Sequence, residues 1–263
     1  MKKRRKKILC RAVLLACAVA CVCMAGACKS KKVDEKEEQE KKESKKEKLV
    51  VALSVELPPY GYYEEKELVG IDVELAKAVA AKLDRELVVK ELEMEAILPA
   101  VQSDEADLGA AGLLAIDERR GQVEFTDPYG SGSQAIVVKV DSGIDDQTAL
   151  AGRQLGVQKG TTGDIYATDE YGGEKVRRFV WGTDALKAIF EGEIDAAILD
   201  EQTAKFLTED EDRLKVLETA YVDEEYAFAV KKGNDELCKK VNEALAELKT
   251  DGTFDEIMAK YRR

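Results

Sequence analysis

The chemistry open to this chain is bounded first by its cysteines and by its lack of histidine. The 263 residues include six cysteines and no histidine. Ser-His-Asp and Cys-His catalysis and His-ligated zinc are therefore excluded, and acid–base work would fall to Asp, Glu, Lys or Tyr. Five cysteines lie within residues 1–28 and only Cys238 lies beyond, so no disulfide framework can staple the folded region. Cys238 lies in a helix-like stretch, ELCKKVNEAL, and is interpreted as a small buried hydrophobe.

Two further positions place a polar side chain at a predicted helix start. Thr162, in the stretch GTTG, opens a predicted helix directly after a predicted strand. Free N–H groups and the helix dipole favour an anion there, although a plain capping role explains the same residue. Asp200 ends the apolar stretch IDAAILD and precedes the helix-like EQTAKF, so its simplest role is to cap that helix. Asp195, in the same stretch, is interpreted as structural.

The elements that must position these residues alternate along residues 49–263. Apolar or β-branched runs predict strands, and apolar residues at helical spacing, such as Ile71, Leu75 and Val79, predict helices. Predicted strands cover 49–54, 86–92, 107–112, 134–140, 154–160, 175–180, 194–200 and 225–232. Predicted helices cover 71–83, 94–103, 162–172 and 183–192, and two more helices end the chain.

The order strand-helix-strand-helix-strand occurs twice, over residues 49–112 and again over 154–200. This alternation predicts an α/β fold with mostly parallel sheets. Residues 49–263 exceed the roughly 100–150 residues of a typical single core, so two lobes are predicted. Ligands of open α/β sheets bind off the carboxyl ends of the strands, so two facing lobes would form a cleft at that edge.

The first 28 residues predict an export signal. Residues 2–7 read KKRRKK, and an apolar run follows over residues 12–27, ending in Ala-Gly-Ala before Cys28. This layout favours a secretory signal over a membrane-spanning helix, because a span needs about 20 apolar residues. The Ala-Gly-Ala-Cys stretch resembles a bacterial lipobox, although Ala25 stands where Leu is most common. The resemblance implies lipid on Cys28, with Cys21 as the second candidate, and anchoring to the outer face of the cell membrane or in the periplasm.

Residues 29–48 predict a solvated tether. They hold nine lysines, seven acidic residues and a single apolar residue, Val33, so they cannot bury enough surface to fold. Residues 49–263 keep 25 of the 41 Lys and Arg and 46 of the 53 Asp and Glu, a formal charge near −21. Such an acidic body argues against nucleic acid as a partner, since that binding depends on cationic contacts to phosphate.

Six stretches, in order along the chain, resemble one known family. They are PPYGYYEEKELVGIDVELAKAVAAKL, ILPAVQSDEADL, DERRGQVEFTDPYGSG, LGVQKGTTGDIYA, IFEGEIDAAILDE and LKTDGTFDEIMAKY. The chain resembles the amino-acid-binding proteins of ABC importers, the family 3 solute-binding proteins. The resemblance implies a type II periplasmic-binding-protein fold with two α/β lobes joined by a two-strand hinge. It places one lobe at 49–131 plus 225–263 and the other at 132–224. It also implies a monomer that serves an ABC permease and ATPase.

The same resemblance assigns the ends of a bound amino acid to three residues. It implies that Arg119, in DER, grips the α-carboxylate, that Thr162 donates to it, and that Asp200 accepts from the α-ammonium. A planar guanidinium suits a carboxylate because it donates two parallel hydrogen bonds. The structural alternative for Arg119 is a surface residue paired with Asp117 or Glu118.

The chain departs from the family where the ligand side chain would lie. Ser54 replaces a frequent acid, Met94 a common aromatic residue, Leu57 a tyrosine, and Leu114 a Ser or Thr beyond the Gly112 turn. With Tyr60 as a wall, these residues predict a neutral or apolar amino acid. No metal or cofactor motif is found in the sequence. Two alternatives stay open: an exported prephenate or arogenate dehydratase, with Glu56 as its acid, and a sensory lipoprotein of the same fold.

Overall fold

A computed structural model describes residues 46–218 and 224–261 of the chain. The predicted signal peptide, the lipid site at Cys28 and the tether up to residue 45 lie outside the described residues. Among those described, no helix is both long enough and apolar enough to span a membrane. The first strand begins at Lys48, one residue before the predicted start.

The first sheet is built on the apolar run KLVVAL, whose side chains are buried over 51–53. It has the order β5-β1-β6-β15-β7, in which β1 pairs in parallel with both β5 and β6. Helices α1, α2, α7 and α8 accompany this sheet, and we call the whole the first lobe. Its strands are β1 Lys48–Leu53, β2 Glu56–Leu57, β3 Gly61–Glu64, β4 Glu67–Val69, β5 Glu86–Glu91, β6 Leu108–Ala110, β7 Glu124–Phe125 and β15 Ala229–Val230. Its helices are α1 Ile71–Lys82, α2 Met94–Gln102, α3 Asp117–Arg120, α7 Asp235–Asp251 and α8 Thr253–Tyr261.

The second sheet repeats this arrangement with the order β11-β10-β12-β9-β13. Strand β10 pairs in parallel with β11 and β12, and β9 is antiparallel to β12 and β13. We call this sheet and helices α4, α5 and α6 the second lobe. Its strands are β9 Gln134–Lys139, β10 Leu155–Gln158, β11 Val176–Phe179, β12 Ala196–Asp200 and β13 Leu214–Glu218. Its helices are α4 Thr162–Tyr171, α5 Gly182–Glu191 and α6 Glu201–Thr208, with a 3-10 turn at Gln147–Leu150.

In both lobes the first parallel strand lies between the second and the third. The two copies predicted over 49–112 and 154–200 therefore have one topology. The predicted strand 225–232 is instead two strands, β14 Glu224–Tyr226 and β15. Strands β2–β4, β7 and β13 were not predicted, because runs of two to five residues give little periodic signal.

The two lobes are joined where a two-stranded antiparallel ribbon lies between the sheets. Strand β8, Gly130–Gly132, pairs with β14, so that Gly130 faces Tyr226 and Gly132 faces Glu224. The two strands of this ribbon span the positions at which the lobe ranges given above meet. The exact lobe boundaries, 131/132 and 224/225, stay predictions.

Cys238 lies on α7, half-buried against the core of the first lobe. Burial raises the pKa of its thiol above the ordinary value. Its surroundings are those of a packed side chain rather than an activated nucleophile.

Candidate functional site

The predicted site residues follow the carboxyl ends of neighbouring parallel strands. In the first lobe, Ser54 follows β1, and Gly112 and Leu114 follow β6. In the second lobe, Thr162 follows β10 and Asp200 ends β12. In each sheet the second and third parallel strands lie on opposite sides of the first, so these loops lie at the two topological switch points. Ligands of open α/β sheets bind at such points.

Arg119 is buried, with 3% of its surface exposed, which excludes the surface alternative. Its Nη1 donates to the backbone oxygen of Leu114 at 3.0 Å, and its Nη2 donates to that of Gly160 at 3.1 Å. Among the described residues, no carboxylate forms a salt bridge with it. Burial lowers the pKa of Arg119 to about 10, while Tyr166 and Glu118 oppose this shift. Arg119 is therefore a desolvated cation whose remaining N–H donors can bind an anion.

Asp200 is a buried carboxyl group of the second lobe, with 7% of its surface exposed. It caps α6, because its Oδ1 accepts from the Thr203 N–H at 3.0 Å. The Tyr60 hydroxyl donates to the same oxygen at 3.3 Å, and the Tyr226 hydroxyl donates to Oδ2. Burial raises the pKa of Asp200, and these hydrogen bonds oppose the rise. No lysine or arginine of the described residues pairs with it.

A second buried carboxylate, Asp72, continues this network within the first lobe. Its Oδ2 accepts from the Gly112 N–H at 2.7 Å, and its Oδ1 accepts from the Tyr129 hydroxyl at 2.7 Å. Burial raises the pKa of Asp72 to about 6, against the lowering effect of those two donors. The rings of Tyr129 and Tyr226 stack with centroids 6.2 Å apart. Asp72 therefore fixes the Gly112 turn from behind.

Helix α4 begins at Thr162, as predicted, but the capping residue is the threonine before it. Thr161 is the N-cap of α4, and its hydroxyl accepts from the Asp164 N–H at 3.3 Å. Thr162 is the first helical residue and is buried. Among the described residues, its hydroxyl has no protein hydrogen-bond partner. The capping role therefore falls to Thr161, which leaves Thr162 for the predicted ligand role.

The predicted side-chain wall is packed into the first lobe. Leu57, Tyr60 and Leu114 belong to its main apolar core, and Met94 belongs to a second cluster around α2. Ser54 is also buried. The structure brings Tyr60 to Gly112 and Asp200, and it brings Leu114 to Arg119. It shows no hydrogen bond from the Ser54 side chain among the residues it describes.

Sequence reasoning missed Gly160, Tyr226 and Asp72. Gly160 takes part through its backbone oxygen, which leaves no mark in the residue type. Tyr226 was included only in a predicted strand. Asp72 carried a usable signal, since an acid beside Ile71 and Val73 at a helix start needs donors when it is buried.

The two lobes contact each other at this site. Besides the Arg119–Gly160 and Tyr60–Asp200 hydrogen bonds, Lys159 Nζ lies 2.8 Å from a Glu95 carboxylate oxygen. Within the described residues, Arg119 of the first lobe and Asp200 of the second are thus buried without an oppositely charged side chain paired to either. Burying such charges is costly unless opposite charges accompany them. A small zwitterion supplies both.

Comparison with known proteins agrees with this chemistry. The chain is 32% identical over 219 residues to the arginine-binding extracellular protein ArtP of Bacillus subtilis (strain 168), covering 81% of this chain and 86% of that protein. The fold of this chain is similar to that of the arginine-, lysine-, histidine-binding protein ArtJ from Geobacillus stearothermophilus. The TM-score is 0.78 at 31% identity, over 82% of this chain and 95% of that one.

A third similar structure is connected by its description to an enzyme. It is the ancestral amino-acid-binding protein AncCDT-1, a precursor of cyclohexadienyl dehydratase. Its TM-score is 0.75 at 28% identity, over 82% of this chain and 96% of that one.

Residues 49–263 match the model of the bacterial extracellular solute-binding proteins, family 3, and the chain belongs to that family. The predicted resemblance and the two-lobed type II fold are confirmed. ArtP is an extracellular binding protein, as is this family as a whole.

Proposed function

We propose that this protein captures a free L-amino acid between its lobes and presents it to an ABC permease in the membrane. The observation that carries the proposal is the pair of buried side chains Arg119, in one lobe, and Asp200, in the other, neither of which forms an ion pair among the described residues. Arg119 binds the α-carboxylate, with Thr162 as a further donor, and Asp200 accepts from the α-ammonium. The relatives named above, whose names state amino-acid binding, support this class of ligand.

The proposed ligand has a neutral or apolar side chain. Ser54, Leu57, Met94 and Leu114, at the positions predicted to face that side chain, carry no charge. The names of ArtP and ArtJ state arginine binding, which is the competing specificity. That alternative would rely on Glu56, a half-exposed acid of the first lobe.

Isothermal titration calorimetry against the free amino acids tests both parts. We expect micromolar binding of one or a few neutral amino acids, consistent with three or four charge-assisted contacts. Tight binding of lysine or arginine, with none for neutral amino acids, would contradict the side-chain assignment. Absence of binding to any amino acid would contradict the function itself.

One observation favours a dehydratase as the second candidate. The pKa of Glu56 is raised to about 7 by burial and by the charges of Glu93 and Asp184, so this acid can hold a proton near neutral pH. A dehydratase needs such an acid over its ring substrate. Incubation with prephenate, followed by detection of phenylpyruvate, distinguishes the two functions, with Glu56→Gln as the control that should abolish any turnover.

The proposed location is the outer side of the cell membrane, with lipid on Cys28 as the anchor. Metabolic labelling with a radioactive fatty acid tests it, because Cys28→Ser should prevent incorporation. If Cys28→Ser still incorporates label and Cys21→Ser does not, the anchor is Cys21.

A further inference from the structure

Two hydroxyls from outside the second lobe hold Asp200. Tyr60 lies in the first lobe between β2 and β3, and its hydroxyl donates to Oδ1 at 3.3 Å. Tyr226 ends β14 in the connecting ribbon, and its hydroxyl donates to Oδ2. The two rings are buried with centroids 4.9 Å apart. One carboxylate therefore joins the second lobe to the ribbon and to the first lobe.

The first lobe fixes the direction of the Tyr60 side chain. The backbone N–H of Tyr60 donates to the backbone oxygen of Leu57 at 2.8 Å, and the backbone oxygen of Tyr60 accepts from the backbone N–H of Asp72 at 2.9 Å. The ring lies against Gly112, where a Cβ would come within 2.7 Å of it. Any side chain at Gly112 would displace the ring. These contacts within the first lobe thus fix the position of the Tyr60 hydroxyl.

We propose that Tyr60 is a positioning residue: its hydroxyl orients Asp200 from the opposite lobe and stabilises the contact between the lobes. A buried hydrogen bond between two segments stabilises the conformation in which those segments meet. Loss of the Tyr60–Asp200 hydrogen bond should therefore shift the equilibrium between contacting and separated lobes about tenfold toward separation. This inference goes beyond the proposed function, because it concerns the contact between the lobes and not the recognition of a ligand.

The test compares Tyr60→Phe with Tyr63→Phe by hydrogen–deuterium exchange of the ligand-free, full-length protein. Both substitutions remove one hydroxyl. The Tyr63 hydroxyl donates to Glu91 at 2.6 Å within the first lobe, and 49% of the Tyr63 surface is exposed. We expect about tenfold faster exchange for Tyr60→Phe in peptides covering 112–119 and 154–166, and wild-type exchange for Tyr63→Phe. Strand β1 should exchange equally in all three proteins.

Wild-type exchange at both cleft segments in Tyr60→Phe would overturn the proposal. Faster exchange that extends to β1 would also overturn it, because that pattern reports loosening of the whole first lobe. The outcome is independent of amino-acid binding. If Tyr60→Phe speeds exchange but the protein binds no amino acid, the exchange result supports the role of Tyr60, and only the missing binding contradicts the proposed function.

Discussion

The Arg119 guanidinium of the first lobe donates to the backbone oxygen of Gly160 in the second lobe, at 3.1 Å. On its other side, Gly160 lies against Glu95 of the first lobe, where a Cβ would come within 3.0 Å of the Glu95 backbone. A predicted ligand-binding side chain and a point of close approach between the lobes thus meet at one glycine. Binding and lobe contact are therefore linked through a few atoms, and separate substitutions can test each.

Arg119→Met should abolish amino-acid binding while sparing the fold. Losing two or more charge-assisted hydrogen bonds to a carboxylate should weaken binding at least about 100-fold. The free energy of unfolding without ligand should stay within about 1 kcal/mol of wild type, since relief of a buried charge offsets the hydrogen bonds lost to Leu114 and Gly160. Calorimetry and urea denaturation measure the two quantities.

Arg120→Met is the matched control for that experiment. Arg120 is exposed, with its guanidinium 5.7 Å from the Phe125 ring centroid. Its substitution should leave affinity unchanged. Equal losses in both variants, or none in Arg119→Met, would refute the role of Arg119.

Asp200→Asn should remove recognition of the α-ammonium while keeping the helix cap. Asparagine caps helices as well as aspartate and can still accept from the Thr203 N–H. Binding of an amino acid should weaken about 10-fold or more, whereas binding of the 2-hydroxy analogue that lacks the ammonium should change little. Calorimetry with both ligands gives the ratio of the dissociation constants of the amino acid and its 2-hydroxy analogue.

Asp195→Asn serves as the control for Asp200→Asn. Asp195 directly precedes β12, the strand that ends at Asp200, and it accepts from the Gln154 N–H. An unchanged preference for the amino acid over its hydroxy analogue in Asp200→Asn would show that the ammonium binds elsewhere.

Gly160→Ala should weaken amino-acid binding by hindering contact between the lobes. Gly160 has φ +78 and a close neighbour across the cleft, whereas Gly143 has φ +70 and no heavy atom within 4 Å of the position that a Cβ would take. Both alanine substitutions should cost about 1–2 kcal/mol of folding free energy from the left-handed backbone. Only Gly160→Ala should also raise the dissociation constant, by about tenfold. Equal affinities in the two variants, measured by calorimetry, would contradict the argument.

Asp72→Asn should flatten part of the pH dependence of stability. The pKa of Asp72 rises from 3.8 to about 6 on folding, so the native state holds this proton more tightly than the unfolded chain. Protonation of Asp72 therefore stabilises the folded state by about 3 kcal/mol below about pH 4, and this stabilisation is lost as the pH rises through about 6. Urea denaturation between about pH 4 and 7 should show wild type losing this amount relative to Asp72→Asn.

The exposed Asp141 supplies the control for that titration. Asp141→Asn should retain the wild-type decline. If Asp72→Asn declines in parallel with wild type, Asp72 is not the group responsible.

Periodicity in the sequence predicted the main strands and helices of both lobes to within about two residues. Strand β1 and helix α1 are long, apolar and bounded by clear breaks, so their local signal agrees with their tertiary role. The short strand β15 could not be separated from β14, because two residues carry no period and only pairing with β6 and β7 defines them.

Candidate site residues could be predicted from motifs, and their ligand roles stay predictions, whereas contacts between distant segments could not be predicted. Arg119 and Asp200 were identified from motifs, and the structure buries both. The Gly160 oxygen and the Tyr226 hydroxyl were not identified, since their roles arise from contacts between segments far apart in the chain. The N-cap lies at Thr161 rather than Thr162, because adjacent threonines give the same local signal.

The shared strand order of the two lobes bears on how such a protein changes its ligand over time. Residues inside the sheets stabilise the fold, and loop residues beyond the strand ends tolerate substitution. Substitutions in the loops that follow β1, β6, β10 and β12 can therefore change the residues at this edge while both sheets are inherited intact. A designer can likewise vary the loops of one lobe while keeping those of the other.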